Sequence, residues 1–155
     1  MTDVALAFSS DAFAADLAIV GGDLATDDGL RTAVIISLFT DARARDDDAL
    51  PEVGGDKRGW WGDFDLDGGD QTGSRLWLLH RAKLLPSTAL KARDMCREAL
   101  DWLLRDGVAA SVEVETQIVA PNALVISVAI ARPSGPGRQR FDFVWNAMDG
   151  STVSA

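Results

Sequence analysis

"TALKARDMCREALDWLLRDG" (residues 88–107), followed two residues later by "ASVEVETQIV" (110–119), is the stretch on which the fold turns. In the first segment Ala92, Met95, Cys96, Ala99, Trp102 and Leu103 recur at helical spacing and form one apolar stripe. Ser87 stands where a side-chain cap would start the helix, and Gly107 where a left-handed residue would end it. Arg97–Asp101 and Asp101–Arg105 are i,i+4 charge pairs on another face, each adding only about 0.2–0.5 kcal/mol. Past Gly107 the period changes to two. Val112, Val114, Thr116 and Ile118 alternate with Glu113, Glu115 and Gln117, which predicts a strand with one buried face.

Two further strands follow. "ALVISVAIA" (123–131) comes after Pro121-Asn122, and "RPSGPG" (132–137) turns the chain into "RQRFDFVWN" (138–146), where Phe141, Phe143 and Trp145 alternate. Short turns between such strands predict an antiparallel meander with one covered face. Its outer strands are expected to be 110–119 and 138–145. At least one of them should lack a partner within the chain and offer free N–H and C=O groups, with Asp142 and Val144 the positions singled out on the second.

Toward the N-terminus, "GSRLWLLHRAKLL" (73–85) reads as a helix stopped by Pro86, and "TDDGLRTAVIISLFTDARA" (26–44) as another, with Leu30, Val34 and Leu38 four residues apart. "DVALAF" (3–8) and "ADLAIV" (15–20) are β-like, and "VGGDL" (20–24) is a turn between strands. The expected fold is α+β: a single domain over residues 1–146, with an antiparallel β-meander packed against two or three helices and an N-terminal β-hairpin. Residues 147–155 are expected to form a frayed tail.

Residues 41–73 lack periodicity and are rich in Asp and Gly, which in a compact domain points to a functional or partner-ordered segment. Inside it lies "RGWWGDFDLDGGD" (58–70). In an extended loop Trp60 and Trp61 would point to opposite sides, one ring packing inward and the other toward a neighbour. Asp63, Asp65 and Asp67, with Gly68 behind them, match positions 1, 3, 5 and 6 of a calcium loop. Position 12, where a bidentate acid belongs, is Ser74, so these aspartates are weak metal candidates.

Other chemistry finds little support. His80 is the single histidine: nothing near it completes a zinc site, and no serine lies in a G-x-S-x-G elbow to serve with it in a Ser–His–Asp triad. No phosphate-cradling glycine motif is present. No catalytic residue and no cofactor are assigned. A carboxylate-based peptidoglycan hydrolase is the enzymatic alternative, but of its candidate acids Glu52, Glu98, Glu113 and Glu115 none sits in an evidently apolar setting. A calcium-dependent binding module is the other alternative. The net charge is −9, and residues 1–70 hold 16 acids against 5 bases. Such a field repels phosphate backbones and suits a basic protein neighbour, so no nucleic-acid partner is expected. No apolar run approaches the roughly 18–20 residues of a membrane helix, and no membrane partner is expected either. The N-terminus does not read as a secretion signal, and the lone Cys96 suits a reducing compartment.

Several segments in order, "ADLAIVGGDLATDDGLRTAVIISLFTDARA", "LPEVGGDKRGWWGD", "GSRLWLLHRAK", "ALDWLLRDGVAASVEVE" and "IARPSG", resemble the small baseplate protein family of Mu-like contractile-tailed phages. That family is similar in turn to the wider baseplate-wedge and sheath-initiator group, sometimes called lysozyme-like. The resemblance covers about residues 15–135. It implies a non-enzymatic virion component assembled in the host cytoplasm, whose partners are other baseplate wedge proteins and the tail sheath protein, with tube and hub proteins as further neighbours. In the wider group the subunit grips a helical core bundle, and the first sheath ring docks on it by exchanging strands. The group's Glu-Pro-Arg motif falls here on "LLRDGV", where Arg105 stands for the arginine and Asp106 follows, without the Glu and Pro. Arg58, Trp60 and Trp61 of the RGWWGD segment, together with Arg105, Asp106, Asp142 and Val144, are the expected partner-binding residues.

Overall fold

The computed structural model describes residues 3–9, 14–17, 19–24, 26–27, 30–65, 70–134, 137–150 and 152–154. Its long helix, α2 (Pro86–Arg105), ends as the glycine requires: Asp106 is the cap residue and Gly107 follows at φ 70°. The Asp106 N–H donates to Trp102 O at 2.9 Å and the Ala109 N–H to Leu103 O at 2.9 Å, so the last carbonyls find partners. The start differs from expectation. Pro86 is the first helical residue and Leu85 the cap, with no side-chain cap bond, so Ser87 lies inside the first turn. Proline serves there because its φ is preset and the N–H it lacks would have gone unpaired.

The stripe on α2 divides in two. Ala89, Ala92, Cys96, Leu100 and Leu103 are buried, whereas Met95, Ala99 and Trp102 are partly buried along one flank. That flank meets α1 (Leu30–Phe39), where Ser37 Oγ accepts a 2.9 Å hydrogen bond from Trp102 Nε1. Because water still reaches the ring, Trp102→Ala is expected to cost roughly 2–3 kcal/mol in urea unfolding, below the 3–5 kcal/mol of a fully enclosed aromatic. A cost near zero would mean that the α1–α2 seam contributes nothing to stability.

Beneath α2 lies an antiparallel sheet of β7 (Ser111–Ala120), β8 (Ala123–Ala131), β9 (Gln139–Asn146) and β10 (Thr152–Ser154), in the order β10-β9-β8-β7. Val114 faces Val128 and Ile126 faces Phe143 across the ladders. Leu124, Ile126, Val128 and Ile130 alternate into the core with Phe143 and Trp145, and Phe39 of α1 meets Phe143 edge-on at 5.3 Å. The expected meander is therefore present, with a fourth strand added.

That strand corrects two expectations. Among its described residues the segment after Asn146 is not a frayed tail: Ala147 is fully buried, Gly150 turns the chain at φ 72°, and Val153 pairs with Val144. Strand 138–145 is in consequence not an outer strand along its length. Val144 lies within a ladder, and Asp142 sits just beyond the last β10 pair, Ser154 with Phe143. Among the described residues the other edge of β7 pairs with no strand, so the unpartnered outer strand is the 110–119 one.

Two helix expectations also shrink. α1 covers only residues 30–39 of the 26–44 segment, because Thr26–Asp27 (β6) pairs with Asp3–Val4 (β1), and Asp41 bridges Ser74. Residues 73–85 hold a single 3-10 turn, Leu76–Leu79, in place of a helix. Arg81 sits at φ 61° and its N–H donates to Ala147 O, a conformation that no helix passes through. At the N-terminus the expected hairpin is found as β2 (Leu6–Ser9) with β3 (Ala14–Leu17). β4 (Ile19–Val20) and β5 (Asp23–Leu24) pair across Gly21-Gly22. Together these elements make a single α+β domain.

Candidate protein interface

Residues 41–65 have little regular structure, yet backbone bonds and side chains tie them to the domain. Ala42 N donates to Ser74 O at 3.0 Å, Ser74 N to Thr40 O at 2.9 Å, and Trp77 Nε1 to Ala42 O at 2.8 Å. Arg75 is the central clamp. Its Nη1 reaches both Asp48 oxygens at 2.8 and 2.9 Å, and its Nη2 reaches Glu98 of α2 at 2.7 Å. Arg45 bonds the other Glu98 oxygen. This part of the segment is thus packed on its own protein. Sequence reasoning missed Arg75 and Asp48, because 27 residues separate them and neither belongs to a motif.

Arg58 stands at φ 52° with its guanidinium 4.5 Å over the Trp77 ring and 2.8 Å from an Asp41 oxygen. A cation over an indole face adds about 0.5–1 kcal/mol at such a partly exposed site. The tryptophans depart from expectation: neither is buried, and they do not diverge. Their rings lie 5.5 Å apart at 45°, because the chain enters a 3-10 turn (Trp61–Asp65) instead of staying extended. Gly62 permits this, since a Cβ there would meet the Trp60 ring at 2.2 Å.

Of the calcium-loop candidates, Asp63 directs both carboxylate oxygens to the Thr72 N–H at 3.0 Å. Asp65 is exposed, and Asp67 lies outside the described residues. Among the described residues no cluster of three or more His, Cys, Asp or Glu is placed to hold a metal ion. Arg105 pairs with Asp70 at 3.3 Å and Asp101 at 3.4 Å, linking the end of α2 to the loop, while Asp106 is exposed beside it. Asp142 is held below the usual carboxylate range, first by the Ser127 hydroxyl it accepts from and then by Arg140. Glu113 is paired with Arg138. Burial pushes the Cys96 thiol far up, which makes it an inert core residue.

Alongside the free edge of β7 runs an open groove of about 660 Å³. Val112 to Gln117 line it together with Leu90, Arg93 and Arg97 of α2, and it reaches Ser127 of β8 and Arg140 of β9. Basic and acidic side chains thus flank an unpaired backbone, a setting suited to an added extended segment.

Exposed ladder groups, a loop held by ion pairs and aromatics at the surface are features that contact with another chain can use. The chain belongs to the Mu-like baseplate protein family: the family model described as phage protein GP46 matches residues 30–137. It is 43% identical over 135 residues to baseplate protein gp46 of Escherichia phage Mu, spanning 87% of this chain and 90% of that protein. It is also 40% identical over 140 residues to the Mu-like prophage FluMu protein gp46 of Haemophilus influenzae, spanning 90% and 94% respectively. The family inferred from the RGWWGD and SRLWLL segments is therefore the one to which the chain belongs.

Proposed function

We propose that this chain is a structural component of a contractile-tail baseplate wedge. In this reading it holds the core bundle of larger wedge proteins and offers the surface on which sheath assembly starts. The observation that carries the reading is the near end-to-end similarity to a protein named as a baseplate component. The free β7 edge supports the sheath contact, because an unpaired strand beside a groove accepts a strand from another subunit through main-chain bonds, with alternate side chains setting register. Arg105 and Asp106, exposed at the α2 terminus, are the residues proposed to face the core bundle. A non-enzymatic role fits the engagement of Glu98 and Glu113 in ion pairs, where neither has the apolar surroundings that raise a catalytic acid.

The test is genetic and chemical. Particles made without this chain should lack extended sheath, and a photoreactive residue at exposed Gln117 should crosslink to the sheath subunit in intact tails. The same probe at exposed Met148, past the end of β9, should not. Sheathed tails forming in the absence of the chain would overturn the proposed function. Crosslinking from Met148 but not Gln117 would move the sheath contact away from β7.

A further inference from the structure

Three of the largest exposed apolar side chains sit together on a loop that is held in place. Trp61 is 85% exposed, Phe64 97% and Trp60 42%, all within five residues. A mobile loop could fold such rings away, but this one is held at two described points. Before it, Arg58 is pinned between Trp77 and Asp41. Within it, Asp63 is bonded to the Thr72 N–H. Exposed aromatic rings on a held backbone are what interface hot spots are made of, since few torsions remain to be fixed when a partner covers them.

The local charge selects the partner. Residues 41–70 carry ten acids and four bases. Three of the bases are engaged inside the chain, Arg45 with Glu98, Lys57 with Asp46 and Arg58 with Asp41, and Arg43 donates to the Arg58 carbonyl. Asp41, Asp46, Asp48 and Asp70 are themselves taken up in ion pairs, but Asp65, exposed and next to Phe64, is in no ion pair among the described residues, so the rings stand beside acid. A second copy, itself at −9, would be repelled, and so would an anionic lipid surface or a nucleic acid. We propose that Trp60, Trp61 and Phe64 form a docking knuckle for a basic protein segment, whose Arg or Lys side chains stack on the rings and pair with Asp65. The proposal deepens the baseplate reading by giving the chemistry of one neighbour, and its first test needs only the purified chain.

In that test the indole N–H resonances of the isolated protein are followed by NMR during titration with a six-residue arginine–glycine repeat peptide, against a glutamate–glycine control. The Trp61 resonance should shift with the arginine peptide alone. Trp61→Ala and Asp65→Lys should each weaken the apparent affinity by about five-fold or more, as loss of a cation–π contact or of the paired charge implies. Both side chains are exposed, so melting temperatures should not change. No shift, an equal shift with both peptides, or shifts that follow only the protein's own concentration would overturn the proposal, the last pointing to a second copy. In intact tails a photoreactive residue at Phe64 should crosslink to an Arg- or Lys-bearing peptide of a neighbour; a crosslink to another copy, or to an acidic peptide, counts against it. If the wild-type chain is absent from purified tails, the baseplate reading fails while the peptide result still stands.

Discussion

Gly73→Ala should destabilise the domain by about 3–5 kcal/mol, the sum expected from a strained left-handed residue and an overpacked contact. Gly73 lies at φ 100°, and a Cβ there would come within 2.1 Å of Thr40 O and 2.6 Å of Thr40 C. Those atoms are backbone and cannot swing aside. The next residue, Ser74, donates its N–H to that same Thr40 oxygen, and its hydroxyl donates to Leu38 O, so any shift breaks bonds at the end of α1. Gly62→Ala is the comparator. Its clash is with the partly exposed Trp60 ring, which can rotate away, so its cost should stay below about 1 kcal/mol. Equal urea midpoints for the two variants would refute the assignment of Gly73 as an anchor.

Arg75→Met comes next in size. The Arg75 and Asp48 side chains are only 13% and 16% exposed. Removing the cation leaves a largely desolvated carboxylate without its partner, for which about 2–4 kcal/mol is expected, somewhat under the value for a fully enclosed pair. Burial by itself would raise the Asp48 pKa, but the Arg75 hydrogen bonds, the Arg45 N–H and the two positive charges outweigh it and hold the carboxyl below its ordinary value. The sign follows. A lowered native pKa gives stability that is complete above the unfolded value, about 3.9, and lost as pH falls through the lower native one. Wild type should therefore lose this contribution below about pH 4. The variant should show a shallower acid limb, because protonation now relieves an unpaired charge. Unfolding curves between pH 3 and 7 measure both slopes, and parallel slopes would mean the pair has no influence. Adding Asp48→Asn should restore part of the loss.

Periodicity was decisive in the sequence where an element is long. α2, its glycine stop and the alternation of β7, β8 and β9 lie where 3.6- and 2-residue patterns put them, because each element is long enough for burial to repeat. What escaped was decided by contacts far apart in sequence. Residues 73–85 have an acceptable helical pattern, but the Arg81 N–H is taken by Ala147 O, and that bond sets a left-handed residue where the helix would have continued. β10 is three residues long, too short for alternation to register, and its position depends on the Gly150 turn. Trp60 and Trp61 were expected to diverge on the premise of extended backbone, and the 3-10 turn at Trp61 removes that premise. The Arg75 clamp draws on residues 48, 75 and 98, with no spacing rule to join them.

The short β10 strand has one further consequence. It leaves the sheet with unlike sides: three residues at one margin, ten at the other. Very short margins are poor templates for a further strand, whereas a long open one is a good template. On the proposed reading, this sheet takes an added strand at its β7 side. In that reading the β10 margin would not relay strands between identical copies, so free subunits should stay dispersed instead of growing into fibres through this sheet.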